Sequence, residues 1–178
     1  MTDYRATRRT ILTTGLALPA LTIPAIGYTA SSSRRLAFYH THTGESLDVV
    51  YREGADYLPD ALGNINRFLR DFRTGEAYPI DPELLDQLHD IQNLIGRAGQ
   101  YEIISGYRSP KTNNMLRGKS NSVAKRSLHM QGRALDIRIT DVPTADLRAA
   151  ALELQSGGVG YYPKSKFIHV DTGRVRRW

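Results

Sequence analysis

The chain contains no cysteine. Disulfides, thiolate zinc sites and thiol nucleophiles are therefore excluded, and any metal site has to be built from histidine and carboxylate. No apolar run approaches the ~18–20 residues needed to span a bilayer. The run at 16–26 is too short and is interrupted by Pro19 and Pro24. Net charge is +6, yet there is no basic helix and no aromatic-basic repeat. The scattered basic residues speak against nucleic acid as partner and suit an anionic polymer equally well. Beyond residue 30 there is no internal repeat and no low-complexity linker, so the 178 residues accommodate a single domain with a real core.

Residues 1–30 have the layout of an export leader. Thr7-Arg8-Arg9-Thr10-Ile11-Leu12 is a twin-arginine-like core, followed by the short apolar run and then small residues, with cleavage expected after Gly27 or Ala30. The mature domain is expected over 31–178, with no stable membrane span.

Helical and strand periodicities partition that domain. Segments 36–42 and 46–51 flank Thr43-Gly44-Glu45 and predict a hairpin. Leu58, Leu62, Ile65, Phe68, Leu69 and Phe72 recur at helical spacing. Asp81-Pro82-Glu83 opens a second helix whose apolar face is Leu84, Leu85, Leu88, Ile91, Leu94 and Ile95, closed by Gly96 or Gly99. A short strand at 101–105 is followed by Gly106-Tyr107-Arg108-Ser109-Pro110, with Thr112 as the expected cap of a short helix at 113–117 and a polar loop at 117–125. Pro143 starts a further helix, and Gly157-Gly158 closes it. Strands follow at 158–162 and 167–171. Helices early and strands late predict an α+β fold, with helices packed on one face of a small antiparallel sheet.

The chemistry is concentrated in Ser127-Leu128-His129-Met130-Gln131-Gly132-Arg133-Ala134-Leu135-Asp136. Leu135, Ile137 and Ile139 alternate with Asp136, Arg138 and Thr140, so Asp136 projects from the polar face of a strand. Gly132 allows a tight turn between His129 and that strand. An imidazole and a carboxylate suit zinc, and a catalytic zinc takes three protein ligands and leaves a position open. His169, on the second strand, is the third candidate. A structural hydrogen-bonded pair is the competing account of His129 and Asp136. His40 and His42 share one strand face and form a second, weaker candidate pair, while His89 belongs to a helix.

The pattern Ser127-x-His129-x-x-Gly132-x-Ala134-x-Asp136 with the later His169 resembles the lysostaphin/D-alanyl-D-alanine metallopeptidase/hedgehog group of zinc peptidases. Within it, Ser105-Gly106-Tyr107-Arg108-Ser109, Gly157-Gly158-Val159-Gly160-Tyr161-Tyr162-Pro163, Trp178 and the His-Thr-Gly-Glu-Ser at 42–46 resemble the murein endopeptidase K-like branch. The resemblance covers nearly the whole chain after the leader. It implies a zinc peptidase acting on peptide cross-links of peptidoglycan, including bonds between two diaminopimelate residues, and the leader at 1–30 adds export to the periplasm with the twin-arginine machinery as partner. A D-alanyl-D-alanine carboxypeptidase or dipeptidase and a non-catalytic wall-binding module are the alternatives within the group.

The resemblance implies His129, Asp136 and His169 as the ligands of Zn2+. It implies that Arg108 lies over the open side of the metal, stabilising an oxyanion or binding a substrate carboxylate, and that Ser127 contacts substrate. Tyr161 and Tyr162 are candidates to line the cleft, and Tyr161 is assigned to substrate. Relatives place a histidine two residues before the last ligand, or an acid two or three before it. Here those positions hold Phe167 and Lys166. Asp171, two residues past His169 on the same strand face, is the expected general base. Orienting a ligand histidine is the competing role for Asp171, and an exchange of roles between Asp171 and His169 is a third.

Overall fold

A computed structural model describes residues 33–97, 99–120 and 123–178, all within one compact unit, Ser31–Trp178. The leader lies outside the described residues. Among the described residues no helix is long and apolar enough to cross a membrane.

The chain opens with β1 (Ser33–His40) and β2 (Ser46–Glu53), an antiparallel pair turning at Gly44, and β3 (Asp56–Tyr57) adds to its edge. Helices α1 (Pro59–Phe68) and α2 (Pro82–Ile95) follow, then β4 (Gln100–Ser105) and α3 (Pro110–Lys119). A short 3-10 turn (Leu128–Gln131) leads into β5 (Ala134–Ile139), then α4 (Thr144–Glu153). Strands β6 (Gly158–Tyr162), β7 (Phe167–Asp171) and β8 (Arg176–Arg177) end the fold.

The strands form one sheet in the order β3-β2-β1-β4-β5-β7-β6-β8. The expected small antiparallel sheet is therefore eight-stranded and mixed: β1–β4 and β6–β8 are parallel and the other pairs antiparallel. The parallel β1–β4 pair follows from its connection, which runs through a hairpin and two helices and so re-enters the sheet in the same direction.

Strand alternation decides which face is covered. Leu36 and Phe38 of β1, Tyr101 and Ile103 of β4, Leu135, Ile137 and Ile139 of β5, and Ile168 and Val170 of β7 are buried in one apolar cluster. Residues of α1, α2 and α4 complete it, including Ile65, Leu84, Leu88, Ile91 and Leu147. Helix α3 contributes nothing to this cluster, so three of the four helices make the covering layer.

The local signals explain the helix ends. Asp81 caps α2 by accepting the Glu83 N–H at 3.1 Å, and Gly96 ends it at φ +70°. For α3 the expected Thr112 cap is corrected to Ser109, whose Oγ accepts the Thr112 N–H at 3.3 Å. Pro110 then occupies the first turn, where its fixed φ and missing N–H cost nothing, and the helix runs on to Lys119. Phe72 shares the helical spacing of α1 but lies beyond its end, in the loop that approaches the site.

Candidate metal centre

The uncovered face of β5 and β7 carries the polar half of the same alternation. Asp136 and His169 are direct partners across the two strands. A β-bulge in β4 between Ile103 and Ser105 sets Ser105 opposite Asp136. The extra residue turns Ser105 out of the apolar alternation and onto the site face. His129 comes from the 3-10 turn that precedes β5. That turn closes at Gly132 with φ +65°, and a side chain there would collide with the Pro79 carbonyl. Glycine is thus required twice over, by conformation and by space.

Three ligand atoms converge. His129 Nε2 and His169 Nδ1 are 3.2 Å apart, His169 Nδ1 and Asp136 Oδ1 2.9 Å, and His129 Nε2 and Asp136 Oδ1 3.3 Å. Ligands held about 2.0–2.1 Å from one tetrahedral zinc stand roughly 3.3 Å from each other, so the triangle has the size one ion would span. The outer nitrogens are anchored. His129 Nδ1–H donates to the Gly106 carbonyl at 2.8 Å, and His169 Nε2–H donates to Asp171 Oδ2 at 2.9 Å. These bonds assign the tautomers and leave the inner nitrogens free to face one point.

Electrostatics follow from burial and pairing. Burial pushes the His129 imidazole down, against the pull of Asp136. Burial opposes ionisation of Asp136 as well, but His129 and His169 outweigh it and hold the carboxyl well below the usual carboxylate range. For His169 burial is also overcome: hydrogen bonds to Asp136 and Asp171 raise it above the ordinary imidazole value. The donor set, one carboxylate and two imidazoles with an acidic partner behind one of them, is the chemistry of a divalent-cation site.

The remaining residues distribute as follows. Asp171 is fully buried. Besides His169, its oxygens accept Gly158 N at 3.1 Å, Gly173 N at 2.8 Å, and Arg176 Nη1 and Nη2 at 2.9 and 2.7 Å. Despite the burial cost, these donors hold its carboxyl well below the usual range. Arg108 lines the cavity in front of the triangle, where its Nη2 donates to Asp136 Oδ2 and its Nε donates to Ser105 Oγ at 2.8 Å. Ser127 lines that cavity, which measures about 530 Å³. Tyr161 does not. It pairs with Ile168 on the covered face, and the Arg148 guanidinium of α4 sits 5.0 Å from its ring centroid. Strand alternation turns the next residue, Tyr162, to the cavity instead. His40, His42 and His89 lie outside the triangle.

Ser105 and Trp178 belong to the family pattern in the sequence, but neither they nor Arg176 has a role there. Ser105 depends on a bulge that no residue type announces. Arg176 reaches Asp171 only because β8 adds beside β6. Trp178 packs its ring over Gly160, where an added Cβ would meet the indole at 2.7 Å, and lies 5.3 Å from the His169 ring. The one available cue was the glycine of Gly158-Val159-Gly160, which leaves room for a large neighbour.

Comparison with known proteins gives a consistent set. A family model described as Peptidase_M15_2, peptidoglycan L,D-endopeptidase MepK, matches residues 28–178. The peptidoglycan L,D-endopeptidase MepK of Escherichia coli strain K12 is 42% identical over 182 residues, covering all of both chains. The protein of the same name from Shigella flexneri is similar to the same extent, 42% over 182 residues. A probable peptidoglycan L,D-endopeptidase MepK of Haemophilus influenzae is 43% identical over 146 residues, 82% of this chain and 78% of its own.

Proposed function

Because the chain belongs to the peptidoglycan L,D-endopeptidase MepK family of peptidases, we propose that it is an exported zinc peptidase that hydrolyses peptide cross-links of peptidoglycan in the periplasm. The observation that carries this reading is the triangle of His129 Nε2, Asp136 Oδ1 and His169 Nδ1, open on one side to a cavity of about 530 Å³. Zinc held by these three atoms would supply a Lewis acid and a bound water of lowered pKa. The name shared by the relatives supports a bond between an L and a D centre as the target. The twin-arginine core at 7–12 supports export by the corresponding machinery.

The protein's own groups prepare the site. Gly106 and Asp171 fix the outer nitrogens of the two histidines, so the inner ones are aimed at one point and would be deprotonated as ligands of the ion. In this reading Asp171 orients His169 rather than serving as the general base. Its oxygens are saturated by donors, it is sealed from the cavity, and Asp136 is the one acid among the cavity-lining residues described. Arg108 holds Asp136 by Oδ2, so that Oδ1 turns to the histidines. Its position on the cavity wall also suits a carbonyl oxygen that gains charge. Ser127, beside it on the wall, is assigned a contact to substrate.

Digestion of purified sacculi tests the reading. Cross-linked dimers should disappear, the loss should stop with chelator, and added zinc should restore it. Release of terminal alanine alone would make the enzyme a carboxypeptidase, and unchanged sacculi would make the domain a binding module.

A further inference from the structure

Four arginines line the site cavity, Arg73, Arg108, Arg126 and Arg176, against one acid, Asp136. Two are already committed, Arg108 to Asp136 and Arg176 to Asp171. Arg73 and Arg126 have no acidic partner among the described residues, and of the two only Arg73 is packed over an aromatic ring. It is held in place. Its guanidinium carbon lies 4.1 Å from the Phe72 ring centroid, and Phe72 in turn stacks on His42 at 4.2 Å with an interplanar angle of 15°. A guanidinium held over an aromatic face can keep N–H donors free for a further partner.

The loop beneath it is pinned as well. Asp71 is 1% exposed, and its carboxylate accepts the Arg73 N–H at 3.0 Å and the Ser109 N–H at 2.9 Å. Its carbonyl accepts the N–H groups of Thr74 and Gly75 at 3.2 and 2.7 Å. Ser109 is the neighbour of Arg108, so one buried carboxylate ties the Arg73 loop to the segment that braces the metal ligands. Burial opposes ionisation of Asp71, but hydrogen bonds to its carboxylate from the Thr112 side chain, from Ser109 and from the Arg73 N–H outweigh it and hold the carboxyl below its ordinary value.

A fixed, unpaired guanidinium in a concave site nearly free of acids is a receptor for a carboxylate. We propose that Arg73, presented on the Phe72–His42 stack, binds a free carboxylate of the peptide substrate and so selects acidic peptides over their amidated counterparts. The proposal rests on the peptidase reading for the nature of the ligand and adds to it a determinant of specificity away from the metal.

The test uses the full chain supplied with zinc and a cross-linked peptide whose scissile amide is replaced by a methylene-amine, so that it binds without turnover. It is compared with the same peptide amidated at its free carboxylates. Trp178, the only tryptophan in the chain, lines the cavity, so its fluorescence reads occupancy. The wild type should bind the acidic form about tenfold or more tightly than the amidated form, the worth of a charge-assisted pair. Arg73→Gln should abolish the preference while leaving affinity for the amidated form unchanged, and Arg73→Lys should retain part of it. Equal binding of the two forms, binding of neither, or a preference that survives Arg73→Gln would overturn the proposal. Cleavage of the parent amide peptide is scored separately. Preference without cleavage would leave the carboxylate site standing and remove the peptidase reading, and cleavage without preference would do the reverse.

Discussion

Two pairs of histidines, each with one member in a strand and the other in an adjoining turn, have opposite character. His129 and His169 have ring centroids 5.0 Å apart, and His40 and His42 6.0 Å apart. Proximity alone does not separate them. In the first pair each ring has an acceptor behind it, and a carboxylate waits where the inner nitrogens meet. In the second, His40 Nδ1 accepts the His42 N–H at 3.2 Å, while His40 Nε2 is buried without a partner and the ring packs edge-on to Phe68 and Phe72. A pair of imidazoles becomes a metal site when its outer nitrogens are anchored and an anion stands at the focus. Without those anchors the pair divides, His40 buried in the core and His42 stacked on Phe72 at the cavity wall.

Removing a ligand from each pair gives the largest contrast. Asp136→Asn or His169→Ala should lose bound zinc and cut dimer cleavage by about 10³-fold or more, since several kcal/mol of transition-state stabilisation depend on the ion. His40→Phe should leave zinc content and activity near wild type. Metal analysis with kinetics on the three variants decides it, and zinc loss in His40→Phe would break the contrast.

The anchor behind His169 comes next in size. Asp171→Asn preserves volume but turns an acceptor of His169 into an amide, and zinc affinity should fall by about 10–100-fold. Excess zinc should restore turnover. A rate deficit that persists at saturating zinc would return Asp171 to the role of base.

The two pairs also differ in the sign of their pH response, best read by thermal unfolding of the metal-free protein. Burial lowers His40 from its ordinary value near 6.5. Its neutral form is the one the fold accommodates, so its contribution is present above pH 6.5 and is lost as pH falls through the depressed folded value. His169 is raised from the same 6.5 by Asp136 and Asp171, which outweigh burial. Its contribution is present below pH 6.5 and is lost as pH rises through the folded value. His40→Phe should therefore flatten the acid side of the stability profile, and His169→Ala the neutral side. The same slope for both variants would contradict the assignment.

The smallest expected effect is on stability at neutral pH. His40→Phe removes a buried nitrogen that has no partner but also strips the His42 N–H of its acceptor. These two terms are of similar size and opposite sign, so the net change should stay within about 1 kcal/mol in denaturant titration.

How far these contrasts were visible in advance can be followed residue by residue. The period-2 pattern around Leu135-Asp136-Ile137 announced a strand with Asp136 on its polar face, and β5 has it so. Asp81-Pro82 and Gly96 marked both ends of α2, because capping is a local matter of one side chain and one φ angle. The same spacing rule misplaced Phe72, and the cap of α3 fell at Ser109 rather than Thr112, since each choice among neighbouring residues is settled by packing. The sequence offers both Tyr161 and Tyr162 to the cleft and only Tyr162 lines it, because adjacent strand residues take opposite faces.

The sequence by itself determined the chemistry on offer. Without cysteine, a metal site must be oxygen and nitrogen, and the motif around His129, Asp136 and His169 named the residues able to form it. Alternation and capping, both short-range, determined most of the strands and helices. Tertiary structure decided which groups stand behind the ligands. Gly106 lies 23 residues from His129, Ser105 reaches Asp136 through a bulge, and Arg73 is tied to Ser109 across 36 residues by Asp71. Hydrogen bonds between segments so distant in sequence depend on strand order and register, and those are set by the collective burial of the apolar face rather than by any local run of residues.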